Sequence, residues 1–202
     1  MIKLYGLKIS GNTYKAQLLM SLLGIQYDFI ELDTQNLQHK SAEFLQLNPR
    51  GEFPVLQDED RIIWDSQAIL IYLASQYSLK DHHWFPCKPA DMAAIAQWLS
   101  VANGEIFNTL GKARSVILFQ RPGDLSLLRQ QGEQLLKWIN HHLKQRDWIA
   151  TQQASIADIA CYPYISLCEA GGISLDGYRH IHRWFKNIES LEKYISMPGL
   201  YA

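Results

Sequence analysis

Cysteine is scarce in this chain of 202 residues, a net charge is nearly missing, and no long apolar run occurs. The three thiols, Cys87, Cys161 and Cys168, stand far apart with no C-x-x-C spacing, which argues against a disulfide framework and a zinc knuckle and favours reduced thiols. A formal charge of −1 and a pI near 6.6 remove the electrostatic case for nucleic acid or an anionic membrane as partner. No apolar stretch approaches the ~20 residues that cross a bilayer, and MIKLYGLKIS lacks the basic start and apolar core of a signal peptide. A soluble, cytoplasmic protein is expected. Internal repeats and low-complexity segments are missing too. What is present is 48% hydrophobic residues, enough for one large or two small domains with proper cores. Small neutral or modestly charged ligands suit this composition.

The densest set of non-interchangeable residues is the run 48–70, NPRGEFPVLQDEDRIIWDSQAIL. Pro49 fixes its own φ and Gly51 tolerates positive φ, so Asn48-Pro49-Arg50-Gly51 reads as a turn. It delivers an extended segment, Phe53-Pro54-Val55-Leu56. Pro54 cannot donate a ladder hydrogen bond, so it belongs at a strand start or sheet edge, leaving backbone near Phe53 free to pair with an extended ligand. Asp58-Glu59-Asp60 reads as the tip of a hairpin between Val55-Leu56 and Ile62-Ile63. Ser66 is then expected to cap a helix whose buried face is Ala68, Ile69, Tyr72, Leu73 and Tyr77. The helix start would accept a carboxylate and Asp65 an amine, so together they could hold a zwitterion, although Asp-Ser at a helix start is also an ordinary cap.

In chain order, Ile2-Lys3-Leu4-Tyr5 reads as a buried strand ended by Gly6. A helix follows Ser10-Gly11-Asn12, with Leu18, Leu19, Leu22 and Leu23 on one face and Gly24 as its stop. Residues 27–32 form a second strand, parallel to the first through a βαβ crossover. A polar loop over 33–41 with His39 and Lys40 precedes a short helix through Phe44 and Leu47. The order βαβ then α, β, β, α predicts a thioredoxin-like α/β N-terminal domain over 1–78. Residues 79–89 read as a linker, in which adjacent His82 and His83 point apart and make no metal site. Residues 90–202 read as an all-α C-terminal helical bundle domain, with faces Ile95, Trp98, Leu99, Ala102, Ile106, Leu110 and Leu128, Leu135, Ile139, Leu143. Ser155 and Asp158 have the spacing of a capping box, with a folding role, at the start of a buried central helix that Pro163 should kink.

SGNTYK after the first strand, NPRGEFPVL, WDS at a helix start and SIADI in a helical second domain together resemble the cytosolic glutathione transferase superfamily, over nearly the whole chain. They look most like the bacterial members with a small polar residue near the N-terminus. The resemblance implies a glutathione S-transferase that activates the glutathione thiol for attack on a small electrophile, without metal, as a homodimer. Phe53 would bond the cysteinyl backbone through its main chain, with Pro54 cis; Asp65 and Ser66 would hold the γ-glutamyl end; His39 or Lys40 would reach the glycine carboxylate. Ser10 would donate a hydrogen bond to the sulfur, helped by the helix N-terminus, because a free thiol is only a few per cent thiolate near neutral pH. Asn12 is an alternative donor and Tyr5 a third, although Asn12 also fits a cap and Tyr5 a core residue. Asp65 stands where the family usually has Glu. The second-substrate site is expected around Asn103, Phe107 and Arg114. No cysteine lies in the first loop, so chemistry that needs a protein thiol there is disfavoured. Isomerisation or glutathione-dependent reduction would use the same first domain, and a non-catalytic binding or regulatory protein of this fold is the alternative from another class.

Overall fold

The computed structural model describes residues 1–78 and 83–197, which fall into two compact units: 1–78 with 192–197, and 83–191. The first is a four-stranded mixed sheet with helices. Strands β1 (Ile2–Gly6), β2 (Tyr27–Glu31), β3 (Val55–Asp58) and β4 (Arg61–Trp64) lie in the order β2-β1-β3-β4. β1 pairs parallel to β2 and antiparallel to β3, which pairs antiparallel to β4. Leu4 and Leu56 face each other at its centre, fully buried. Helices α1 (Gly11–Leu23), α2 (Ala42–Leu47) and α3 (Ser66–Tyr77) complete the thioredoxin-like arrangement. Gly24 ends α1 at φ 70°, its N–H bonding back to Met20 and Ser21.

Three local features differ from the sequence expectation. Asp58 is part of the ladder, paired with Arg61, so the hairpin tip narrows to Glu59-Asp60. The reason is a buried demand: Asp58 Oδ2 accepts from the Tyr72 hydroxyl at 2.6 Å and also from that of Tyr77. The cap of α3 is Asp65, and Ser66 is its first helical residue. The terminal segment 192–197, expected in the helical domain, belongs with the first unit, where the Tyr14 hydroxyl donates to Ile195 O at 2.6 Å and Ser21 Oγ to Lys193 O at 2.7 Å.

The second unit is all helical: α4 (Pro89–Val101), α5 (Lys112–Phe119), α6 (Leu125–His142), α7 (Ile156–Ser166) and α8 (Arg179–Glu189), with short 3-10 turns. α4 and α5 are joined by a π-helical stretch, Ala102–Gly111, which nothing in composition announces. Residues Ile156 to Ile165 of α7 are all buried, and Pro163 stands inside the helix without ending it. The second half of the expected linker is packed: Trp84 is buried and its carbonyl accepts from Ile156 N at 2.9 Å. His82 lies outside the described residues. Among the described residues no helix is long and apolar enough to cross a membrane.

Candidate functional site

The strand registers decide which loops meet. Tyr5 pairs with Val55, and Val55 with Trp64, so the end of β1, the start of β3 and the end of β4 lie at one edge of the sheet. Gly6 pairs with Glu31, which brings the end of β2 there too. The loop before α1, Phe53-Pro54, the start of α3 and the loop toward His39 and Lys40 therefore share that edge, at the carboxyl end of the central parallel strand where open α/β sheets bind ligands.

Ser10 is the N-cap of α1: its Oγ accepts from Thr13 N at 3.3 Å, which leaves the hydroxyl hydrogen free to be donated. Asn12, one of the two residues expected to cap or donate here, is inside the first turn. Its Oδ1 accepts from Lys15 Nζ at 2.9 Å and more weakly from Ser66 Oγ at 3.4 Å, which identifies that atom as the carbonyl oxygen and leaves Nδ2 as a donor. Tyr5 is engaged elsewhere, donating to Gln57 Oε1 at 3.0 Å and packing on Phe44. The first turn of α1 contains no acidic residue, so its unpaired N–H groups set a positive potential beside Ser10.

The Phe53-Pro54 bond is cis, and neither the N–H nor the C=O of Phe53 has a hydrogen-bond partner among the described residues. Asn48 closes the preceding turn, its Nδ2 donating to Glu52 O at 2.8 Å and its Oδ1 accepting from Arg50 N at 3.1 Å. Lys40 is committed to this loop, with Nζ 3.1 Å from Arg50 O and 2.9 Å from Gly51 O, while the His39 ring stands edge-on to Phe53 with centroids 6.1 Å apart. Gly51 is required here: at φ 59° a Cβ would lie 2.7 Å from His39 O. Asp65, at φ 75°, accepts from Gln67 N at 2.9 Å and Ala68 N at 3.1 Å through Oδ1, leaving Oδ2 toward solvent. A non-glycine residue held at this φ is strained by about 1–3 kcal/mol, as at many ligand clamps. The N–H of Ser66 has no partner among the described residues.

In the second unit, Tyr164 links two of the expected residues: its ring packs on Phe107, and its phenol acts electrostatically on the Arg114 guanidinium. The Phe107 and Tyr164 rings are 5.3 Å apart, and both press on Gly111, where a Cβ would lie 3.0 Å from one ring and 3.1 Å from the other. Asn103 is exposed, and its carbonyl accepts from the Asn108 amide at 3.2 Å. Among the described residues no three His, Cys, Asp or Glu side chains group as a metal site.

Comparison with known proteins gives this geometry a family. Residues 1–75 match the glutathione S-transferase N-terminal domain, and residues 122–192 match the glutathione S-transferase C-terminal domain. The chain belongs to the cytosolic glutathione transferase superfamily. It is 27% identical over 189 residues to glutathione S-transferase D6 of Drosophila melanogaster, covering 93% of this chain and 87% of that one. Its fold is similar to a glutathione S-transferase of Pseudomonas fluorescens, with TM-score 0.91, 29% identity and 98% of each chain covered. A possible glutathione S-transferase of Rhodopseudomonas palustris gives TM-score 0.89 at 28% identity over 97% of each chain.

Two polar residues at this candidate site lay hidden in the sequence. Lys15 sits on an apolar helix and reads as a solvated lysine, yet it is fully buried and bonded to Asn12. Gln67 is 9% exposed with both amide atoms enclosed and unpartnered among the described residues. Its spacing of three and seven from Leu70 and Ala74 was the available signal, because it places Gln67 on the buried face of α3. The loop before α1 also depends on Gly6, where a Cβ would stand 2.4 Å from Thr13 Oγ1. Thr13 is fully buried and its backbone receives the Ser10 cap, so it cannot step aside without moving the cap. Gly6→Ala is expected to cost about 2 kcal/mol or more and lower Tm by roughly 4–8 °C. An unchanged thermal transition would show that the first turn of α1 tolerates displacement.

Proposed function

We propose that this protein is an active glutathione transferase that binds glutathione along the sheet edge described above and activates its thiol for attack on a small electrophile. The observation that supports it best is the unpartnered N–H and C=O of Phe53, set at the same sheet edge as two helix N-termini. The Phe53 main chain pairs with the cysteinyl backbone of the tripeptide. The Ser66 N–H and hydroxyl take the γ-glutamyl carboxylate, and the free Oδ2 of Asp65 takes its amine. The Ser66 hydroxyl has only a long bond to Asn12 to give up. His39 and Lys40 face the glycine end, where Lys40, with two carbonyl bonds already made, has one N–H left. Ser10 donates to the thiolate, with Asn12 Nδ2 as the alternative donor. Phe107 and Arg114, with Asn103 at the exposed margin, belong to the second-substrate site.

The chemistry needs little more. Electrostatic stabilisation of S⁻ by a hydroxyl and a helix N-terminus lowers the thiol pKa, and each unit gained corresponds to about 1.4 kcal/mol. The thiolate then attacks, the thiol proton having passed to solvent. A cytoplasmic homodimer with a detoxifying role is the expected setting, and light scattering that returned a monomer would remove the dimer from it. The test of the function is a calorimetric titration with glutathione, followed by turnover of an aryl chloride. Binding at millimolar glutathione or below together with release of chloride is expected. Absence of binding at that concentration would sink the proposal, and binding without bound thiolate or turnover would favour the non-catalytic alternative.

A further inference from the structure

Arg114 is 7% exposed, yet its guanidinium makes no hydrogen bond and no ion pair among the described residues, and its Nε is completely enclosed. Buried arginines are normally paired, because an uncompensated charge in a protein interior is among the most costly groups a fold can contain. A lysine or histidine in that position could escape by releasing its proton. A guanidinium cannot, since it keeps its proton far above the physiological range. Burial pushes it down and the Tyr164 phenol opposes that, but a phenol supplies no full negative charge near neutral pH. Nε alone is fully enclosed, so the two terminal amino groups, without a partner among the described residues, are the part of the cation open to an anion.

The surroundings are built around that gap. Arg114 is the third residue after a ten-residue π-helical stretch, a distortion found often at functional sites, whose last residue is Gly111, where Phe107 and Tyr164 close against the backbone. A phenol that acts on a planar cation and packs on a second ring suits a flat, unsaturated ligand with a negative end. A carboxylate matches the guanidinium fork in bidentate fashion, which a neutral carbonyl cannot.

We infer that the electrophile taken by this protein is an unsaturated or aromatic compound bearing a carboxylate, and that Arg114 is the residue that receives the carboxylate. This rests on the proposed transferase function for the reaction itself, and on Arg114 alone for the charge preference. With an aryl chloride acid as substrate, the glutathione sulfur forms the new C–S bond, the C–Cl bond breaks, chloride leaves with the bonding pair, and the thiol proton goes to solvent.

The experiment compares 3-nitrobenzoate with 3-nitrobenzamide as inert ligands, and 4-chloro-3-nitrobenzoate with its amide as electrophiles, on wild type, Arg114→Gln and Arg114→Lys. Wild type is expected to favour each acid over its amide by about 10- to 100-fold, the span expected for a hydrogen-bonded charge. Arg114→Gln should abolish the preference and Arg114→Lys keep part of it, with glutathione affinity unchanged in both. Tm of unliganded Arg114→Gln should match or exceed that of wild type, because an unpaired buried charge has been removed. Equal affinity of wild type for acid and amide, a preference that survives Arg114→Gln, or a loss of glutathione affinity in that variant would overturn the inference; the last would assign the guanidinium to a carboxylate of glutathione. If glutathione itself fails to bind wild type, the proposed function falls, while the acid-to-amide ratio of the inert ligands still decides the role of Arg114.

Discussion

Asp158→Ala is expected to lose most of the stability of the helical unit. The carboxylate is fully buried and accepts four hydrogen bonds: Oδ1 from Ile149 N and Trp184 Nε1, both at 2.8 Å, and Oδ2 from Ser155 N at 2.9 Å and Ser155 Oγ at 3.2 Å. These bonds close the capping box of α7 and fasten α8 and the chain before α7 to it. Alanine would strand two backbone N–H groups and an indole N–H in the interior, each at about 1–3 kcal/mol. The total of about 3–9 kcal/mol is comparable with the 5–15 kcal/mol that typically separates folded from unfolded protein. Asp158→Asn should cost less, since one carbonyl oxygen can still serve Ile149 and Trp184 while its NH₂ opposes the Ser155 N–H. Urea denaturation followed by circular dichroism measures both. A loss below about 1 kcal/mol for the alanine variant would mean that water replaces the carboxylate, contrary to its burial. With both oxygens occupied, Asp158 is a folding residue, as the Ser155-Ile156-Ala157-Asp158 spacing indicated.

That capping box was legible because its spacing is local and its chemistry has few substitutes. The same is true of the βαβ unit, where apolar periodicity switches from two to 3.6 and Gly24 marks the stop, and of the Asn48-Pro49-Arg50-Gly51 turn that leads into the extended Phe53-Pro54 segment. Features that depend on partners distant in sequence were not legible. Asp58 looks like a turn aspartate until Tyr72 and Tyr77 fold back onto it. The α3 cap moves from Ser66 to Asp65 because Asp65 takes φ 75°, a conformation that residue type alone does not announce. Lys15 differs from a surface lysine only through its burial beneath Asn12, and residues 192–197 return to the first unit through backbone carbonyls, which have no sequence signature. The π-helical stretch belongs to the same group: an i→i+5 bond pattern follows from packing, and its residues, ANGEIFNTLG, read as ordinary helix.

Ser10→Ala is expected to lower kcat/KM for an aryl chloride by about 10- to 100-fold near neutral pH while changing glutathione affinity little, since a hydrogen bond to a charged group contributes about 1.5–3 kcal/mol. The direction in pH follows from which protonation state the hydroxyl favours. A donor to sulfur stabilises S⁻ and not SH, so under the proposed function the bound thiol should have its pKa lowered in wild type, and the rate should rise with pH to a plateau once the thiolate is fully formed. Removing the donor moves that rise to higher pH by about one to two units, so the deficit is largest below the wild-type pKa and shrinks as alkaline pH forms the thiolate without assistance. Alanine also removes the side-chain bond to Thr13 N, at about 1 kcal/mol of stability, which the thermal transition will register separately from the pH profile. Asn12→Ala separates the two donors. If Ser10 is the sulfur's partner, Asn12→Ala leaves the profile in place and costs mainly the support of Lys15 and Ser66; if the profile moves in Asn12→Ala and not in Ser10→Ala, the amide is the donor. A profile that moves in neither variant would leave the helix N-terminus as the source of the positive potential, and would remove both side chains from the sulfur.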